Sequence, residues 1–121
     1  PHCYGQGGPS CAGKKAPLLG FPAHASSDGL AITKDWGGQG LTAFVAENGS
    51  LVPTVDAGRD VRAIALRRRP GGGYDATATV LASGFDEQDP LGMAIGPDGA
   101  LYVSLFRTGA VVRFAPGLRP T

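Results

Sequence analysis

The chain has 121 residues, enough for one ordinary domain, and carries 11 basic against 10 acidic side chains for a net charge of +1. So even a balance excludes the strong field that steers a protein to nucleic acid or to an anionic membrane, and no apolar run approaches the ~20 residues that cross a bilayer as a helix. Glycine and proline make up about a quarter of the chain and hydrophobic residues 42%, a balance that favours an all-β chain with frequent turns over disorder.

Residues 1–17 hold both cysteines among Gly, Pro and Lys, without apolar periodicity, and read as a surface segment. A chain that opens Pro1-His2-Cys3 reads as a processed product or a fragment. Cys3 and Cys11 bracket CYGQGGPSC, whose glycines and proline are supple enough to bring the ends together. A disulfide, and with it an oxidising compartment, is the expectation; two free thiols in a reducing compartment are the alternative. The spacing fits neither a CxxC redox pair nor haem attachment, and no paired His completes a zinc site.

Leu18–Phe21 is a short apolar run and a candidate strand. After the turn Ser26–Gly29, four strands follow: Gly29–Thr33, Leu41–Glu47, Val61–Leu66 and Ala76–Ala82. The Gly-rich loop Lys34–Gly40, the turn Asn48-Gly49-Ser50 with the loop Pro53–Asp60, and the turn Pro70–Asp75 join them. Arg67-Arg68-Arg69 is the one basic run, and it reads as a solvated strand end rather than a nucleic-acid contact. Three more strands complete the chain: Leu91–Ile95, Leu101–Leu105 and Val111–Ala115. In Gly96-Pro97-Asp98-Gly99, Pro97 pre-sets φ, Asp98 bonds its own backbone, and Gly99 takes the conformation that other residues resist. Thr108-Gly109 marks the last turn. Gly or Pro interrupts every apolar run before it reaches helix length.

The strands repeat. Gly29-Leu30-Ala31-Ile32 matches Gly92-Met93-Ala94-Ile95, and Ala43-Phe44-Val45-Ala46 matches Leu101-Tyr102-Val103-Ser104 in pattern. Val61-Arg62-Ala63-Ile64 matches Val111-Val112-Arg113-Phe114 loosely. Repeated short antiparallel strands suggest propeller blades. The expected fold is therefore all-β: a Cys-bearing segment over 1–17, a four-stranded blade over 18–86, and a partial blade with tail over 87–121. Propellers use 4–8 blades of roughly 40–50 residues each. Two cannot close a ring, so the remaining blades, in the same chain or a processed partner chain, are the expected partner.

Four ordered segments carry a family likeness: Pro22–Leu30, Ala43–Ser50, Gly58–Arg62 and Asp89–Ser104. Together they resemble the C-terminal part of the glucose/sorbosone dehydrogenase-like proteins, the soluble sugar dehydrogenases that depend on pyrroloquinoline quinone (PQQ). The resemblance implies a six-bladed propeller, periplasmic or secreted, that uses PQQ and calcium in the complete protein to oxidise a small sugar. The chain departs from the family at Asn48, where many members carry His, and at Asp86–Pro90, which holds no Arg before the strand. The family's sugar-oxidising base belongs to earlier blades, so no catalytic residue is expected here.

His24 precedes a strand that would line the central channel; its imidazole either meets the cofactor or makes a structural hydrogen bond. Arg107, in a turn, is the remaining candidate for an anionic ligand, with solvent exposure as the alternative. Trp36, in a Gly-rich loop, either stacks on a sugar face or fills a rim. Asp86, Glu87 and Asp89 lack the spacing of a calcium loop and read as a solvated turn; Asp28 and Asp98 read as turn residues. No GxSxG, phosphate loop or GxGxxG is present. Two readings follow: part of a quinoprotein-like sugar dehydrogenase, or a non-catalytic propeller module that binds a protein or a carbohydrate. A metal-dependent propeller lactonase, which needs several acidic ligands aimed at the channel, is a third. For the cysteines, intact mass should rise by two hydrogens on reduction; an unchanged mass would show free thiols.

Overall fold

A computed structural model describes residues 15–85 and 89–119. Cys3 and Cys11, with their expected disulfide, and Asp86 and Glu87 lie outside the described residues. Seven strands form two antiparallel sheets, with no helix among the described residues. The first sheet has the order β1 (Ser27–Thr33), β2 (Thr42–Glu47), β3 (Asp60–Arg68), β4 (Tyr74–Ala82). The second has β5 (Pro90–Ile95), β6 (Leu101–Leu105), β7 (Ala110–Phe114). Each strand pairs with its chain neighbour, the meander expected of two consecutive blades of a β-propeller, the second with three strands.

Period-2 alternation decides which side chains meet. One face of the first sheet carries Ala31, Phe44, Val61, Ala63 and Leu81, and it packs against Met93, Ile95, Leu101, Val103 and Phe114 of the second. Phe44, Val61, Leu101 and Val103 are fully buried in that seam. The innermost strands come closest. A Cβ added at Gly29 would run into the Leu91 carbonyl oxygen, and would also meet the side chains of Ala46 and Met93 at 3.0 Å. Only a residue without a side chain lets β1 and β5 approach this far. β2 is buried at all six positions, as befits a central strand.

The opposite face of the first sheet carries Leu30, Ile32, Ala43, Val45 and Ile64. Leu30 is 70% exposed and Ile32 57%. Their counterparts in the repeat, Met93 and Ile95, are packed into the seam. The second sheet thus has a neighbouring sheet over this strip, and the first has none among the described residues.

Leu18–Phe21 is not a strand. Leu19 and Phe21 lie across this face, against Ala43, Val45 and Ile64, where they cover apolar surface instead of pairing at an edge. β1 begins at Ser27, inside the expected turn, because a bulge between Ser27 and Gly29 lets pairing with β2 continue to Glu47. β3 runs on to Arg68, so the basic run is a solvated strand end.

The seam makes a matched pair of substitutions informative. Gly29→Ala should lower the unfolding free energy by roughly 2 kcal/mol or more, since backbone must shift. Gly92→Ala, the equivalent position on the bare flank, meets only the Ser104 hydroxyl and should cost less than about 1 kcal/mol. Urea unfolding of both variants reads the difference.

Candidate functional site

The loops entering β1 and β5 and leaving β2 and β6 gather at one end of the two sheets. Backbone bonds tie them together: Asn48 N–H donates to the Ser26 carbonyl at 2.8 Å, Gly49 N–H to Ala25 at 2.9 Å, and Ser50 N–H to Ala57 at 3.0 Å. Across the seam, the Asn48 side-chain amide donates to the Pro90 carbonyl at 3.2 Å. At the β6–β7 turn, the Asp89 carboxylate accepts the N–H groups of Arg107 at 2.9 Å and Thr108 at 3.3 Å. Asp89 is therefore buried and engaged, not solvated as expected. A carboxylate capping two backbone donors explains why it sits there.

The knot is strained. His24, Ser26 and Arg59 have φ of 65°, 57° and 60°, a region that costs residues with side chains on the order of 1–3 kcal/mol. His24 is exposed and lines an open groove of about 260 Å³ with Ser26, Gly49, Leu51 and Val52. Arg107 is exposed in the neighbouring sheet's turn at the same end and is not among the residues lining that groove. Trp36 lies in the loop at the other end. It is 2% exposed, stands edge-on to Phe44 at 4.7 Å between centroids, and donates its indole N–H to the Leu118 carbonyl at 3.0 Å. An indole so enclosed fills the rim and leaves no ring face for a sugar, which corrects the expected stacking role.

A third group at the site end escaped the sequence reading. Glu47, the last residue of β2, is fully buried. Arg62 Nε lies 3.3 Å from its Oε2, and Arg62 Nη2 lies 3.3 Å from Asp60 Oδ2. Neither Glu47 oxygen has an aligned hydrogen-bond donor. Two buried carboxylates thus face one guanidinium, which itself lies over the Phe21 ring at 5.8 Å. Burial, then Asp60 alongside, push the Glu47 carboxyl up to about 7, and Arg62 offsets this only in part. The register could not be seen in the sequence. Only pairing of Glu47 with Asp60 brings these charges together on one face.

At this end the described residues offer a quinone carboxylate one unpaired guanidinium, Arg107, and one imidazole, His24. Arg59 is held by Asp56 at 2.6 Å, and Arg62 by the two carboxylates. Among the described residues no three His, Cys, Asp or Glu side chains group as metal ligands. These residues do not by themselves fit PQQ or calcium; they supply at most one wall of such a site.

No family model matches the chain, and no curated protein does. Among solved structures, the PQQ domain of pyranose dehydrogenase from Coprinopsis cinerea, in its holo form, is similar over 78% of this chain at 23% identity, with a TM-score of 0.56. The chain spans 28% of the length of that structure. At this identity the likeness is one of fold: the two sheets are consecutive blades of a β-propeller of the type seen in a PQQ domain.

Glu47 sets a pH dependence. Its folded pKa lies above its unfolded value, so its stabilisation is complete below about pH 4.5 and is lost as pH rises through about 7. The loss should be on the order of 3 kcal/mol. Glu47→Gln should remove that part of the slope and leave the protein more stable than the parent at pH 8. Parallel slopes for parent and variant would show that Glu47 is not held neutral.

Proposed function

We propose that this chain is two consecutive blades of a quinoprotein-like sugar dehydrogenase, a secreted or periplasmic propeller whose complete form oxidises a sugar hydroxyl. The observation that carries the reading is the likeness of fold to the PQQ domain of a pyranose dehydrogenase. When bound, PQQ would supply the hydride acceptor, with calcium beside it. The residues of this chain do three things in that reading. His24, in a strained turn, and Arg107, exposed and without a salt bridge among the described residues, present a hydrogen-bonding group and a cation at this loop end. The Asn48–Pro90 bond holds the two loop sets in register. The bare Leu30–Ile32 strip takes the preceding blade, which brings the rest of the site.

A non-catalytic propeller that binds a protein or carbohydrate is the second reading. The engagement of Arg59 and Arg62 by carboxylates favours it, because among the described residues at this end it leaves Arg107 alone as a cation for a ligand that carries several anionic groups.

The test uses the complete protein that contains this chain, reconstituted with PQQ and calcium and assayed for dye-linked oxidation of aldoses. Activity is expected, and Arg107→Ala should weaken PQQ binding about tenfold, the scale of one charge-assisted hydrogen bond. Absence of PQQ binding by equilibrium dialysis would overturn the dehydrogenase reading in favour of the binding module.

A further inference from the structure

Three strand ends meet where the site loops begin. Register places Ser27 of β1 beside Glu47 of β2, and Glu47 beside Asp60 of β3. Each end joins directly to a segment with positive φ: His24 and Ser26 before Ser27, Gly49 after Glu47, and Gly58-Arg59 before Asp60. The three segments touch backbone to backbone. A Cβ on Gly58 would lie 2.5 Å from the Ala25 carbonyl oxygen and 2.9 Å from Gly49 Cα. The N–H groups of Asn48, Gly49 and Ser50, bonded to Ser26, Ala25 and Ala57, close this knot. Ser26 and Gly49 of the same knot line the groove that holds His24.

Beneath the knot the charges do not balance. Glu47 and Asp60 are both buried, and Arg62 is the one cation that faces them among the described residues. With both carboxylates ionised the cluster carries one net negative charge, and Glu47 is closed to the water that would share it. Neither Glu47 oxygen has a hydrogen-bond donor. The other charged groups around the knot are engaged elsewhere. Arg59 is held by Asp56 at 2.6 Å, Asp28 accepts the Ser26 hydroxyl at 2.6 Å, and Asp89 across the seam caps Arg107 and Thr108. His24 stands exposed on the loop. One proton on the carboxylate pair removes the excess charge. Opening the knot relieves it by another route, because water then reaches Glu47, and His24, Ser26 and Arg59 return to ordinary backbone.

We propose that Glu47, Asp60 and Arg62 form a proton-operated latch on the site loops. With one proton held on the two carboxylates, residues 24–26, 48–50 and 57–59 stay knotted and the His24 groove keeps its shape; when the proton leaves, the knot opens and the groove opens with it. A local element poised between two states and biased by protonation is a switch. It is built from this chain's own groups and stands whether or not the protein binds a quinone. Burial, then Asp60, push the Glu47 carboxyl up to about 7, so the closed state is favoured below that pH and is lost above it.

Amide hydrogen exchange in the complete protein that contains this chain reads the latch at the knot's own donors, Asn48, Gly49 and Ser50, after correction for the chemical rate at each pH. With the Glu47 carboxyl at about 7 when closed and at its ordinary 4.5 when open, the opening constant should rise about tenfold from pH 6 to pH 8. Amides of β6 should show no such rise. Glu47→Gln and Asp60→Asn each leave one carboxylate for one guanidinium, so each should give slow exchange at the knot that does not change with pH. The two variants lie on different strands, so a folding defect in one leaves the other to decide. A flat response in the parent, or a rise in the variants equal to the parent's, would overturn the proposal. So would a rise that is lost in His24→Gln and kept in Glu47→Gln.

Discussion

The structure depends on one close approach. At Gly29 the innermost strand of the first sheet comes so near the Leu91 carbonyl and Met93 that no side chain fits between them. That contact sets the spacing of two sheets whose facing surfaces then interdigitate through Phe44, Val61, Leu101 and Val103. It also sets a direction. The sheets meet most tightly at β1 and β5 and part toward β4 and β7, the geometry of blades around an axis. A wedge of this kind buries one face of each sheet and leaves the other for a neighbour, the same logic that makes repeat folds depend on stacking.

The same arrangement collects a set of loops at one end. Strained turns at His24 and Ser26, the Asn48–Pro90 bond and the Asp89 cap on the Arg107 turn all sit at one end. Rigid sheets hold them there, and polar groups on loops over a rigid scaffold are where binding residues concentrate. At the far end the loop that carries Trp36 has a mechanical task. It clamps the turn after β7 by two side-chain bonds to backbone carbonyls.

Much of the architecture was legible in the sequence because the physics involved is local. Apolar alternation, the Pro97-Asp98-Gly99 turn and the matched GLAI and GMAI strands reported seven strands in two similar groups. The roles of Trp36 and Glu47 were not legible, because both are set by contacts distant in sequence. Trp36 meets Leu118 across 82 positions, and a Gly-rich loop gives no local sign of whether its aromatic ring turns inward. Glu47 reads as the polar end of a strand until the register of β2 and β3 places Asp60 and Arg62 beside it. Leu18–Phe21 misled for a related reason: apolar character marks burial, and the segment is half-buried flat on a sheet face without pairing at any edge.

The radial stacking of blades is most directly tested by carbene footprinting of Leu30 and Ile32, in the 121-residue chain and in the complete protein that carries it. The account predicts heavy labelling of both residues in the chain alone, and strong protection in the complete protein, to the level of Met93 and Ile95. Equal, heavy labelling of Leu30 and Ile32 in the two would contradict it.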